Sequence, residues 1–340
     1  MAINPSIGLV GIAKQADRDT PAAEPTYVHG LTGGSPFGAS RSIANTEVAC
    51  GTRAPSDARV DSISITPSIQ ALCYPDAFGE YLYAALGAVT SKQVSGTGDD
   101  SGPAVYEHVF TMGSALQYFT IWSQIGTNGF TRSDGCKCDS LEISASGNEH
   151  LAMTASFQGL DGKVGLASIP GKLTPSCFGG KYTTTDCTFK LDASGSTPAE
   201  ALVSEASFTF SNNLSALTSI GRVTPREIAE GSLSAGVSVT TIPDDLKEYQ
   251  KLLTGSENST DITGKVVLGS VYAKFFDTDN PAYTLEVAIN HVPFTAEFPE
   301  VEPGGNEATI AFTTDAAIVT SASESPVTVT LRNGVKSYTA

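Results

Sequence analysis

The 340-residue chain is 40% hydrophobic, which is enough to build sizeable cores and too much for a disordered chain. Only 16% of its residues are charged and the net charge is −16, so the clustered Lys and Arg that grip nucleic-acid phosphates are missing. The acidity is uneven, with 17 acidic and 12 basic residues through Lys190 (net −5) and 19 and 8 beyond it (net −11).

The opening, MAINPSIGLVGIAKQ, has neither the basic segment nor the apolar stretch of a secretory signal. No apolar run approaches the roughly 18 residues of a membrane-spanning helix. These features predict a protein made and kept in a cytosol, with no membrane insertion. Gly, Ser and Thr are abundant and helix-favouring residues scarce, which points to an all-β chain with many turns.

Taken in chain order, the predicted elements are mostly short alternating runs. Arg59–Cys73 alternates but is interrupted by Pro67, as in an edge strand, a bulge or a pair of strands. Pro75–Gly87, PDAFGEYLYAALG, predicts a helix: Phe78, Tyr81, Leu82, Ala85 and Leu86 share a face, Pro-Asp opens it and a glycine closes it. Tyr118–Gln124 reads as a strand. Cys138–Ala145 and His150–Phe157 form a hairpin around SGNE. Further strands are predicted at Ser207–Ser211, Leu233–Thr241, Lys265–Phe276, Tyr283–Asn290, Ala308–Thr313 and Val327–Arg332. A second helix is predicted at Pro243–Gly255, PDDLKEYQKLLTG, with Leu246, Tyr249 and Leu253 on its buried face.

The two helices echo each other 168 positions apart. Ile65, Ile69 and Ala71 precede the first as Leu233, Val237 and Val239 precede the second. YFTIW at 118–122 is echoed by AYTLE at 282–286, and Gly147-Asn148-Glu149 by Gly305-Asn306-Glu307, at falling offsets of 164 and 158. Loop deletions in a second copy produce that pattern. The expectation is an internal duplication, with one domain over 1–195, a second over 196–340 and a linker-like boundary in DASGSTPAEA.

Chemistry-bearing patterns are weak. His29, His108, His150 and His291 sit in no motif with a nucleophile or a metal partner. GDDSGP at 98–103 resembles a serine-nucleophile sequence in the wrong order. Asp277-Thr278-Asp279-Asn280 resembles a calcium loop without its glycine and closing glutamate, and reads better as a turn. Glu297, Glu300, Glu302 and Glu307 form an acidic patch that reads as a solvated loop or a phosphate-repelling surface. The six cysteines, at 50, 73, 136, 138, 177 and 187, are expected as thiols, with a Cys177–Cys187 bridge as the alternative under oxidising conditions. No catalytic, cofactor-binding or metal residue is assigned. The pattern points away from an enzyme.

Gly11–Gly33, Thr66–Thr90, Tyr106–Trp122, Gly135–Gly159 and Val327–Tyr338 together resemble the major tail tube proteins of long-tailed, siphovirus-like bacteriophages. That resemblance implies β-sandwich or small-barrel domains, each with one flanking helix, whose rings stack into the conduit for genome delivery. It implies no chemistry. With the duplication, it predicts three chains per pseudo-hexameric ring, with six chains as the alternative. The implied partners are other copies of the chain, tail terminator and tail-tip proteins, a tape measure protein in the lumen, and DNA in transit. The implied place is the virion tail, assembled in the host bacterial cytoplasm. The N-terminal arm and the Ser91–Pro103 segment are expected to gain order only between stacked rings. Competing readings are another phage structural component (capsid or baseplate), a surface-layer protein or adhesin, and a β-rich hydrolase.

Overall fold

The computed structural model describes residues 4, 6–46, 54–55, 57–95, 104–171, 175–177, 179–194, 198–299, 308–321 and 324–339. Six strands precede the first helix: β1 (Gly8–Lys14), β2 (Tyr27–Gly30), β3 (Gly33–Ser35), β4 (Ala39–Thr46), β5 (Asp57–Ile65) and β6 (Ser68–Leu72). Helix α1 (Pro75–Leu86) leads to β7 (Gly87–Ser95), β8 (Val105–Met112), β9 (Phe119–Ile125), the long β10 (Gly129–Ser146), β11 (Ala152–Gln158), β12 (Asp161–Leu166) and β13 (Tyr182–Asp192). Next come β14 (Ala199–Glu200), β15 (Val203–Ser211), β16 (Ser215–Leu217), β17 (Glu227–Ala229), β18 (Ser234–Thr241) and helix α2 (Lys247–Thr254). The chain closes with β19 (Gly269–Asp277), β20 (Thr284–Val292), β21 (Ile310–Thr314) and β22 (Val327–Asn333).

The fold is all-β with two helices among the described residues. Its strands pair antiparallel in open sheets, and none closes into a barrel. Sheet I runs β3-β6-β11-β10-β15-β18-β21. Sheet II runs β14-β13-β19-β20-β22-β8-β7. A side wing, β2-β1-β9-β10-β12, shares β10 with sheet I. The two halves of β10 therefore pair with different neighbours. The change falls at Gly135, whose φ of 63° lies in the left-handed region, and at the register shift between Ser133 and Cys136. Strands from both sides of residue 195 mix in both sheets: β15 pairs with β10, and β22 pairs with β8.

The inner faces of sheets I and II share one core. Phe189 of sheet II stacks on Phe208 of sheet I with ring centroids 6.3 Å apart, and meets Phe275 edge-on at 5.7 Å. Helix α1 lies inside this core, against β10, β22, β7, β8 and β2. Sequence periodicity predicts one buried face. Every residue of α1 except Asp76 is buried, because strands enclose it on all sides and the helix is apolar almost all round. Its end falls as predicted, with Gly87 at φ 83° as the left-handed cap. Gly79 lets the Tyr338 ring lie directly on the helix, since a Cβ there would come within 2.1 Å of that ring.

The second helix is shorter than predicted. Pro243–Leu246 is not helical; α2 starts at Lys247 and ends before Gly255, at φ 78°. No α2 residue is fully buried. The N-terminal segment also departs from expectation. Instead of a loose arm it supplies β1 and β2, with Val10 and Ile12 fully buried. Ser91–Ser95 belongs to β7, while 96–103 lies outside the described residues. The strand expected at Arg59–Cys73 divides into β5 and β6 at Pro67, and the hairpin around SGNE is β10–β11, with Ser144 opposite Ala152.

Candidate assembly surfaces

The residues that carry chemistry are dispersed. His29 is fully buried, with Nε2 2.6 Å from the Tyr81 hydroxyl and Nδ1 2.8 Å from the Gly30 carbonyl. Burial pushes its pKa down to about 4. His108, also buried, meets Ser91 Oγ at 2.8 Å and the Val335 carbonyl at 2.9 Å. His150 is exposed beside Thr183, and His291 Nδ1 lies 3.0 Å from the Glu324 carboxylate. Among the described residues no three His, Cys, Asp or Glu side chains gather as a metal site. Cys73, Cys136 and Cys138 are buried thiols, with pKa values raised by desolvation. No disulfide links Cys177 with Cys187, and Cys50 lies outside the described residues.

The Asp277–Asn280 stretch is the turn between β19 and β20, where the Asn280 amide donates to Asp277 Oδ2 at 3.1 Å. Glu297 of the acidic patch is exposed; Glu300, Glu302 and Glu307 lie outside the described residues, as do GDDSGP and the second GNE. One buried acid was not anticipated. Glu80, on α1, is 4% exposed, its Oε2 has no hydrogen-bond partner, and burial pushes its pKa up to about 8 against a weaker pull from Lys14.

The surfaces are more informative than the titratable groups. Two hairpins project beyond the ends of sheet I. β4–β5 extends the β3–β6 pair and β16–β17 extends the β15–β18 pair. They touch where the Ile63 amide donates to the Val223 carbonyl at 2.7 Å. Between them they expose Ile43, Val60, Leu217, Ile220 and Val223. A two-stranded ribbon has little stability of its own in water. Among the described residues β3 in sheet I and β14 and β7 in sheet II form open sheet edges, while β21, the other border of sheet I, is bridged only at Thr313, which exchanges backbone hydrogen bonds with Thr295. Below α2 lies a groove of about 230 Å³ lined by Leu191, Leu202, Ile242, Tyr249 and Phe312. Sequence reasoning reached β5 but missed its partner in the first ribbon, because β4, ASRSIANT, is nearly all exposed and carries no apolar alternation.

Exposed edges, apolar projecting ribbons and an unfilled groove are the marks of a subunit built to join others. No helix among the described residues is long and apolar enough to cross a membrane. Comparison with curated proteins finds no match. The family model described as phage tail tube protein matches residues 6–330, nearly the whole chain. With its β-rich fold and open sheets, the chain belongs to the phage tail tube protein family.

Proposed function

We propose that this structural tail tube protein closes into rings of three chains, each chain supplying two of six pseudo-equivalent units, 1–195 and 196–340. The family match across residues 6–330 carries the tube reading. The strand order supports the duplication. In the first half, a hairpin extended by a projecting ribbon (β3–β4, β5–β6) leads to α1; in the second, β15–β16 and β17–β18 lead to α2. β11, after the first GNE, pairs with β6, and β21, after the second, pairs with β18. β13 pairs with β19 as β22 pairs with β8.

Rings stack into a tube that conducts the genome, and the protein acts by assembly without catalysis. Its further partners are the tail terminator and tail-tip proteins at the tube ends, and a tape measure protein in the lumen before ejection. It works in the virion tail and assembles in the host bacterial cytoplasm.

A second reading, six chains per ring with the second half outside the tube wall, draws on one observation. The halves differ: α1 is enclosed, α2 lies at the surface, and among the described residues the wing strands β1, β2 and β12 have no counterpart beyond residue 195. Electron microscopy of the purified protein at rising concentration tests both, with mass per unit length measured on any rods. Hollow rods with three chains per ring repeat are expected. Six per repeat would overturn the pseudo-hexamer, and a stable small particle with no rods would overturn the tube.

A further inference from the structure

The outward faces of the two sheets differ in chemistry. In sheet I, strand register aligns Ser35, Ser68, Ser156, Ser140, Ser211 and Ser234 on six successive strands. All six are exposed or half-exposed. A second rank places Ala152, Ser144, Ser207, Ser238 and Thr313 side by side. Their chain neighbours, such as Ile143, Phe208, Phe210 and Val237, are buried, so the two-residue period puts every hydroxyl on the outer side. The charges along the strands of this face among the described residues are the carboxylates Glu142 and Glu205, with Asp139 beside Gln158 and Asp315 beyond Thr313 at its borders. Lys137, at its rim, is buried against Glu230 and the Tyr118 ring.

Serine is not a residue that strand formation favours, so sheet stability does not account for a rank of six. Sheet II shows how an ordinary solvent face is built. Lys274 pairs with Glu286 at 2.9 Å, while Lys92 and Arg332 converge on Glu107 at 2.7 and 2.6 Å. Tyr272 and Phe276 flank Lys274 on the same face of β19. Such a face offers phosphate-binding cations and aromatic rings, the groups that make nucleic acid adhere. The serine face offers neither. Its hydroxyls hold water, its small side chains leave little relief, and its carboxylates repel phosphate.

We propose that the serine-ranked face of sheet I is the wall that double-stranded DNA passes, and that sheet II faces away from the channel. This assignment rests on the tail-tube reading. In this placement the chain's acidity is not concentrated on the wall; transit is eased mainly by the absence of cations.

The test uses rods of the full chain carrying Ser211→Lys, with Thr330→Lys on sheet II as the comparison. Ser211→Lys rods are expected to retain a short fluorescent DNA duplex at least about tenfold more tightly than wild type, in a nuclease-protected and salt-released form. Thr330→Lys rods should gain only nuclease-accessible binding. The reverse pattern, or accessible binding in both, would overturn the assignment. If lysine blocks assembly, Ser211→Cys and Thr330→Cys chains labelled with a heavy-atom maleimide are assembled instead. Label density from Ser211→Cys at the inner wall, by electron microscopy against a wild-type control, supports the proposal; density at the outer surface overturns it. Absence of hollow rods from wild type would strike the tube reading itself, a separate result.

Discussion

Glu80 and His29 tie stability to pH in opposite directions. Burial raises the Glu80 pKa from 4.5 to about 8, so its favourable, protonated state is complete below pH 4.5 and is lost as pH rises to about 8. Burial lowers the His29 pKa from 6.5 to about 4, so its contribution is complete above pH 6.5 and is lost as pH falls to about 4. Between 4.5 and 6.5 the two slopes oppose each other; from 6.5 to 8 the Glu80 slope stands alone. The wild-type melting temperature should therefore fall across pH 6.5–8, by the equivalent of at most about 1.4 kcal/mol per pH unit. Glu80→Gln keeps the shape and removes the ionisable group, and should melt at a nearly constant temperature across that window. A variant slope equal to wild type would assign the effect elsewhere. Neither residue was legible as a pH-sensitive group in the sequence, because its burial depends on strands far from α1 in the chain.

At the scale of elements, α1 and α2 look alike in sequence and behave differently in the fold. Both terminate at left-handed glycines, as their sequences predict. Their surroundings are set by long-range pairing, which a local pattern does not encode. α1 carries Ala and aromatic residues on its far side, and that was the available signal of complete burial. α2 carries Lys247, Glu248, Gln250 and Lys251, and Lys251 reaches Glu248 at 2.7 Å. Leu82→Ala should cost about 2–5 kcal/mol in denaturant unfolding, because it opens a cavity in a fully buried site. Leu252→Ala, at a half-buried site, should cost less than half as much. Tyr249→Pro breaks α2 and leaves the main core in place, so it should yield a folded, soluble chain that melts cooperatively. Strands with strong alternation, such as β11, β19 and β22, were legible within a few residues. β4, β16 and β17 were not, since β4 and β16 are nearly all exposed and β17 is three residues long with only Ile228 buried.

At the scale of the whole molecule, a net charge of −16 sets the conditions for assembly. Bringing many such chains into a tube costs repulsive energy that salt reduces. The Debye length shrinks from about 30 Å at about 0.01 M salt to about 8 Å at about 0.15 M. Rod length and rod fraction, followed by light scattering and microscopy, should rise over that range at fixed protein concentration. A decrease would mean that attraction between charged surfaces dominates the contacts. The same acidity weighs against a DNA-gripping role for the monomer as a whole, and that much could be read from composition alone.

The pairing of β22 with β8 has a consequence for how the chain is born. His108 and Asn333 are 225 positions apart, yet they meet across this junction. Sheet II therefore stays broken between β8 and β20 until Val327–Asn333 has left the ribosome. Loop closure over such a span is slow, and the first half waits with an open sheet and an incompletely covered α1. Completion of sheet II is therefore a late event in the life of the chain, set by the last strand to be made.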